Sequence, residues 1–368
     1  MYIVLYILLF ILYFYLKNNI DTNKARKVFI YIATIILSIF SALRHLAVGN
    51  DTYAYYMSFE SAIDVSWSTI FTNIRDYWHG VALKDPGYDI IEKGFHYFSN
   101  EFVVYQFAIA VLFLSAIGHI VYRNVNTLFG CVISYSFYIS LFYSYLPNSA
   151  TRQTIAMGML LWAIVLWIEK KYKFLPFAII IFASLIHKSV LLGFIPIVIY
   201  YIRCSHLIYK YAIFISLIVF VFGQPIAQYM ATVSAAEQYM GYVQADYYAG
   251  QAKPITFIIE MVVFYFIGFF TKKSNREHSK YAEFYTLCFS LAICFISFIW
   301  VNPNLMRVIA YFSIWGIAFI PNVLERHYAY YKTILYTLVI LLTVGRSVLA
   351  LPQYKFYWQE MQLNERFY

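Results

Sequence analysis

Apolar residues run along this chain in long blocks, each closed by a short polar or basic stretch. A membrane-crossing helix needs about 20 mainly apolar residues, and fewer where flanking aromatics extend it. On that scale the pattern predicts twelve helices, near 2–16, 28–43, 102–121, 128–146, 154–168, 174–187, 189–202, 211–230, 254–270, 281–300, 307–324 and 332–350. The first block has no basic leader and no small-residue cleavage site, so it reads as a retained span rather than a signal peptide.

The block 174–202 holds 29 residues, too many for one ordinary helix and too few for two full ones. Orientation decides the matter. With two short helices there, the segments 17–27, 122–127, 169–173, 203–210, 271–280 and 325–332 share one side. They carry 16 of the 27 Lys and Arg residues in fewer than 50 positions. Basic residues accumulate on the cytoplasmic side, which makes this side cytoplasmic and puts His187-Lys188-Ser189 at an outward-facing tip. A single helix would send the basic run KKSNREHSK (272–280) outside and spoil the bias.

Both chain ends then face outward, as do the segments 44–101 and 231–253 and short loops around 147–153 and 301–306. Segment 44–101 departs from the rest, with eight acidic residues against four basic ones. Its stretch SFESAIDVSWSTIFTNIRDYW (58–78) alternates apolar and polar residues at helical spacing, which predicts an amphipathic helix lying in the interface. The turn at Asp85-Pro86-Gly87 precedes a second such helix over 88–99. There is no internal repeat or linker, so residues 1–368 read as a single integral membrane domain of all-α class.

Composition agrees. Hydrophobic residues make up 62% and charged residues 12%, whereas a soluble domain carries about 25% charged residues. The net charge of +9 does not point to nucleic acid, because its surplus sits in the cytoplasmic loops, where insertion accounts for it. The four cysteines, Cys131, Cys204, Cys288 and Cys294, lack metal-type spacing and read as buried small hydrophobes without disulfides.

On this topology the unusual polar residues gather on the outer face. Arg44 and His45 end the second helix, Arg152 opens the fifth after Pro147-Asn148, Lys188 follows His187 at the tip, and Arg307 follows Asn302-Pro303-Asn304. A charge at that depth costs several kcal/mol without a partner, so such residues are functional candidates by default. Arginine stays protonated and its planar fork suits phosphate or carboxylate. At the start of a helix, as for Arg152, backbone N–H groups add to an anion site. The pattern predicts an anionic ligand reaching the protein from within the bilayer or from its edge. Simpler roles stand beside this one: Arg44 and Arg307 snorkelling to the interface, His187 as a satisfied polar tip, Asp51 pairing with Arg44 to ease insertion, Gly49-Asn50 as a tight turn, and Glu237 and Asp246 as solvated surface.

The run 44–53 (RHLAVGNDTY), with Tyr56 and Phe59 after it, resembles the opening signature of the EpsG-type family of Wzy-like polymerases of capsule, exopolysaccharide and O-antigen. Asp85-Pro86-Gly87-Tyr88, Arg152-Gln153-Thr154-Ile155-Ala156, Ile186-His187-Lys188-Ser189, and Asn304-Leu305-Met306-Arg307 with Tyr311 and Phe312 continue the likeness in order over most of the chain. Each motif is short; their order and spacing carry the specificity.

The resemblance implies a GT-C-like, multi-pass protein of the bacterial cytoplasmic membrane with its active site facing outward. Its substrates would be an undecaprenyl-pyrophosphate-linked oligosaccharide donor and a lipid-linked acceptor, surrounded by membrane lipids, with a flippase and a chain-length regulator as partners. No cofactor is expected. Arg152 and Arg307 are assigned to the pyrophosphate, with Arg44 and Lys188 contributing, since preorganised cations stabilise the charge that develops on a leaving group. His187 is the first candidate for the base that takes the acceptor's proton, and Asp51 the second. Tyr and Trp side chains of 44–101 and 231–253 are candidates for stacking on sugars. No carboxylate cluster of metal type is evident in the sequence, although the acid-rich 44–101 is where one would sit. Two other classes share some features. A membrane O-acyltransferase would need its histidine open to the cytoplasm, and a lipid-linked oligosaccharide flippase would need polar residues through the middle of the helices.

Overall fold

The structure, a computed structural model, describes residues 1–20, 22–79, 85–233, 254–271, 280–327, 329–350 and 353–360. The described residues are 80% helical and include no β-strand, and the protein is a polytopic membrane protein. The helices are α1 (Tyr2–Asn19), α2 (Thr22–Ala42), α3 (Thr52–Ala62), α4 (Trp67–Trp78), α5 (Gly87–Phe95), α6 (Phe102–Asn124), α7 (Leu128–Tyr138), α8 (Thr151–Ile168), α9 (Leu175–Ile186), α10 (Phe194–Ile202), α11 (Ser205–Val233), α12 (Ile255–Phe269), α13 (Lys280–Phe295), the single turn α14 (Phe298–Val301), α15 (Met306–Ser313), α16 (Gly316–Leu324) and α17 (Ala329–Ala350).

Among the described residues six helices are long and apolar enough to cross a membrane, and a seventh crossing results if Pro303–Ser313 and Gly316–Leu324, bent by 61°, form one span. Shorter apolar helices occupy Tyr2–Asn18, Leu128–Tyr143, Leu175–Ile186, Lys188–Ile202 and Ile255–Phe269. Every one of the twelve apolar blocks in the sequence therefore meets a helical element. In the block 174–202 the break falls at His187, whose extended backbone (φ −156°, ψ 104°) ends α9 before a 3-10 turn, Lys188–Gly193.

Segment 44–101 differs in detail from its pattern. Where periodicity suggests one helix over 58–78, α3 and α4 are separate. Ser66 accepts a hydrogen bond from the Thr69 backbone N–H at 3.1 Å and starts α4 afresh, as a serine N-cap does.

Contacts divide the chain into two compact units, residues 1–191 with 337–368, and 192–336. In the first, α6 packs between α2 and α8, α8 carries α9, and α5 lies on α9 and α3. Small residues let these helices approach. Gly118 of α6 faces Ile30 and Thr34 of α2, and Gly158 of α8 sits against the Phe113 backbone of α6. At one end of this bundle Arg26 donates to the Tyr122 carbonyl at 2.9 Å. There too Glu169 gathers Lys171 (2.8 Å), Arg123 (3.1 Å) and His119 (3.3 Å). The C-terminal end of α2, the N-terminal ends of α6 and α8 and the C-terminal end of α9 meet at the opposite end, around a core of Phe59, Tyr88, Phe102, Tyr105, Ile109, Ile155 and Ile186.

In the second unit α13 is the hub for α10, α11, α12, α15 and α16. Ser216 of α11 and Ser297 exchange hydrogen bonds at 2.7 and 2.8 Å where α13 ends. The chain then proceeds in short pieces to α15, and the Asn302 side chain accepts from the Asn304 N–H at 2.8 Å to turn it.

Candidate functional site

The site end of the first unit is built from the loop outward. After α2 the chain turns through Gly49, which has φ +84°, a left-handed conformation that glycine adopts at little cost. A Cβ on Gly49 would collide with the Asn148 carbonyl oxygen, so the turn is pressed directly onto the loop ahead of α8. The Thr52 hydroxyl reaches both the Val48 carbonyl (2.6 Å) and the Asn148 carbonyl (3.2 Å). Two stretches distant in sequence, 48–52 and 147–152, are thus locked together, and α3 leaves from the first of them.

A second close approach sets α5. Gly87 lies against Leu185 near the end of α9, where a Cβ would come within 2.8 Å of the Leu185 carbonyl carbon. This contact holds Asp85, just ahead of α5, beside His187, just past α9. Asp85 Oδ2 is 3.8 Å from His187 Nδ1, with the two side chains 17% and 26% exposed, so both remain open to a ligand.

Arg152, in the first turn of α8, completes the group. It is half-buried, its guanidinium carbon lies 6.0 Å from the centre of the Tyr55 ring, and Asp85 and Tyr88 are its other electrostatic neighbours. A cation over an aromatic face is attracted by the ring quadrupole. Tyr88 is buried, and burial among Tyr105, Glu92 and Tyr55 pushes its phenol well above the usual range, so it remains a neutral hydroxyl. Beneath it Glu92, also buried, accepts from the Ser58 hydroxyl at 2.8 Å. These polar groups stand on the aromatic core, which excludes water from below and raises the strength of every charge interaction above it.

Arg44 is brought to the edge of this group, within electrostatic reach of Tyr88. It is 2% exposed and donates to the Ser41 carbonyl and hydroxyl. With the Gln106 amide turned so that its nitrogen donates to Ala42 O, its oxygen accepts from Arg44 Nη2 at 3.2 Å. Residues 355–357 close over it, the His45 N–H donating to Lys355 O (2.8 Å) and the Tyr357 N–H to Leu43 O (2.9 Å). Burial lowers the Arg44 pKa to about 10, so it stays cationic at neutral pH. Asp51 is half-buried at the N-cap position of α3, without a side-chain capping bond. Lys188 is exposed at the start of the turn that follows His187.

Arg307 belongs to the other unit, half-buried in the first turn of α15. Glu237, Asp246 and nearly all of the expected second loop (234–253) lie outside the described residues, as do residues 272–279 of the basic run.

The sequence singled out Arg152 and His187 but read Asp85 as part of a turn and of a family-like motif, with no chemical role. Tyr55 was included only among the aromatic residues of 44–101 proposed to stack on sugars, not as a neighbour of Arg152. Arg346 was also missed. It is a lone arginine in the last apolar block, donating to the Ser140 carbonyl in the π-helical stretch Ile139–Tyr143, and the criterion that selected Arg44 would have found it. A π turn frees carbonyls from their helical partners, which gives this guanidinium an acceptor inside the bundle. Among the described residues no three His, Cys, Asp or Glu side chains converge as metal ligands do.

The EpsG family model matches residues 27–359, most of the chain and every residue of the group just described. Neither a curated protein nor a solved structure matches it.

Proposed function

Because the chain belongs to the EpsG family, a family of Wzy-like polysaccharide polymerases, we propose that it is the glycosyltransferase that joins lipid-linked oligosaccharide repeat units into polymer on the outer side of the bacterial cytoplasmic membrane. The donor is an undecaprenyl-pyrophosphate-linked glycan, and the acceptor is the non-reducing end of another lipid-linked unit. A flippase supplies both, and a chain-length regulator acts on the product. All twelve apolar blocks cross the bilayer, in a GT-C-like arrangement of one membrane domain.

One observation carries this reading. Arg152 on α8 and His187 just past α9 share a carboxylate neighbour, Asp85, above an aromatic floor at one end of the bundle. The reaction asks for a cation where negative charge appears on the departing pyrophosphate, and for a base at the acceptor hydroxyl. Arg152 is the cation and His187 the base, with Asp51 the alternative base. Arg307 is a further candidate for the pyrophosphate on the strength of the family likeness alone, and Lys188 supplies an exposed charge next to His187. The buried Arg44, already engaged with Ser41 and Gln106, acts on the pyrophosphate through its field. A charge that is preorganised in a water-poor site needs no solvent rearrangement when the bond breaks.

The test is the glycan profile of a deletion strain. A ladder that collapses to single repeat units supports a polymerase. Loss of acetylation alone identifies an acyltransferase, and precursor retained inside the cell a flippase.

A further inference from the structure

We propose that Asp85 is the positioning residue for His187. It would hold the Nδ1–H side of the imidazole and turn Nε2 toward the acceptor. This rests on the polymerase reading of the site. Three features of the chain converge on the assignment. Gly87 permits the backbone approach to Leu185 that sets Asp85 beside the end of α9. His187 is freed from helical geometry at that point, with φ −156° and ψ 104°. The gap from Nδ1 to Oδ2 is 3.8 Å, about 1 Å longer than a charge-assisted hydrogen bond, and such bonds tighten when substrate binds.

A neutral imidazole donates from one nitrogen and accepts at the other. A carboxylate on the Nδ1 side therefore selects the form whose Nε2 lone pair is free to act as base. The bond changes then balance. The acceptor hydroxyl oxygen bonds to the anomeric carbon, and the bond from that carbon to the pyrophosphate oxygen breaks with its electron pair on the pyrophosphate. The hydroxyl proton passes to His187 Nε2. Asp85 takes no proton; it stabilises the imidazolium that forms. The charged and titratable groups around the pair are Arg152 on α8, Tyr55 on α3, Tyr88 on α5 and Lys188 in the following turn. The Arg152 guanidinium is an electrostatic neighbour of Asp85.

Two readouts on the full-length chain test this. In protein labelled with 15N in its histidine rings, the wild-type His187 resonance shows Nδ1 protonated, and Asp85→Asn mixes the two forms. In membranes holding the cells' own lipid-linked repeat units, Asp85→Asn lowers polymer formation by about 10²-fold, the low end for a displaced general base. Across about pH 5–8 the acidic limb of its rate profile moves to lower pH, because the imidazolium loses its carboxylate. Asp85→Glu recovers part of the rate. An identical His187 spectrum in wild type and Asp85→Asn overturns the pairing. A changed spectrum with unchanged rate and pH profile overturns the positioning role. Failure of the polymerase reading is recognised separately, by full-length chains in a deletion strain.

Discussion

Gly87 and Leu185 occupy space that no larger residue at position 87 can share: an added Cβ would lie 2.8 Å from the Leu185 carbonyl carbon and 2.9 Å from its oxygen. The contact is backbone against backbone, so relief requires α5 to move off α9, and Asp85 moves with it. Overpacking of this kind costs about 1–3 kcal/mol. Gly87→Ala is expected to reach the membrane at near-normal level, yet to lose most long-chain polymer in a glycan ladder. Normal polymer from this variant would separate α5 docking from activity.

Arg152 has a cation–π partner in Tyr55 and an electrostatic one in Asp85. Arg152→Ala is expected to lower polymer by about 10²-fold or more, the scale for losing one charge-stabilising donor, with single repeat units still attached to their carrier. Arg152→Lys should rescue poorly, since an ammonium lacks the planar fork. His187→Gln keeps hydrogen bonding and removes basicity, so it is expected to fall by a similar factor. Each is read from chain-length distributions at matched protein level.

Gly49→Ala combines two penalties, a positive φ costing about 1–2 kcal/mol in an L-residue and a collision with the Asn148 carbonyl. This variant is expected to fail earlier than the site variants, in folding. Detergent-extracted protein should be aggregated on size exclusion, whereas Arg152→Ala should elute as wild type does.

Glu169 offers the reverse contrast. Its carboxylate holds Lys171, Arg123 and His119 at the far end of the bundle. Those partners are partly exposed, so solvent screens the interactions, and Glu169→Ala should cost only about 1–2 kcal/mol. A small drop in thermal stability with polymer length and linkage intact is the expected result. A large loss of polymer would extend the functional region to that end.

Class and element positions were legible in the chain because bilayer burial leaves a coarse imprint: every apolar block became helix, and the break near His187 fell where the charge bias of the loops required it. Arg152 and His187 do stand at one end of the first unit, as the ordering of their helices implied. Periodicity alone missed the interruption between α3 and α4, because Ser66 starts a new helix through a local hydrogen bond that leaves the apolar spacing unchanged.

What tertiary structure decided is which carboxylate stands beside both Arg152 and His187. Asp51 and Asp85 are both acidic residues of 44–101 near turn-forming glycines, and nothing in one dimension separates them. The choice falls to Asp85 because Gly87 lets two backbones touch and carries that side chain to His187. Gly49 instead spends its freedom on joining a turn to the Asn148 loop. Likewise Arg44 and Arg152 both bound apolar blocks in the sequence, but packing engages the first with Ser41 and Gln106 and sets the second beside Tyr55 and Asp85. Sequence records the cost of placing a charge. Only the packed helices determine what meets it.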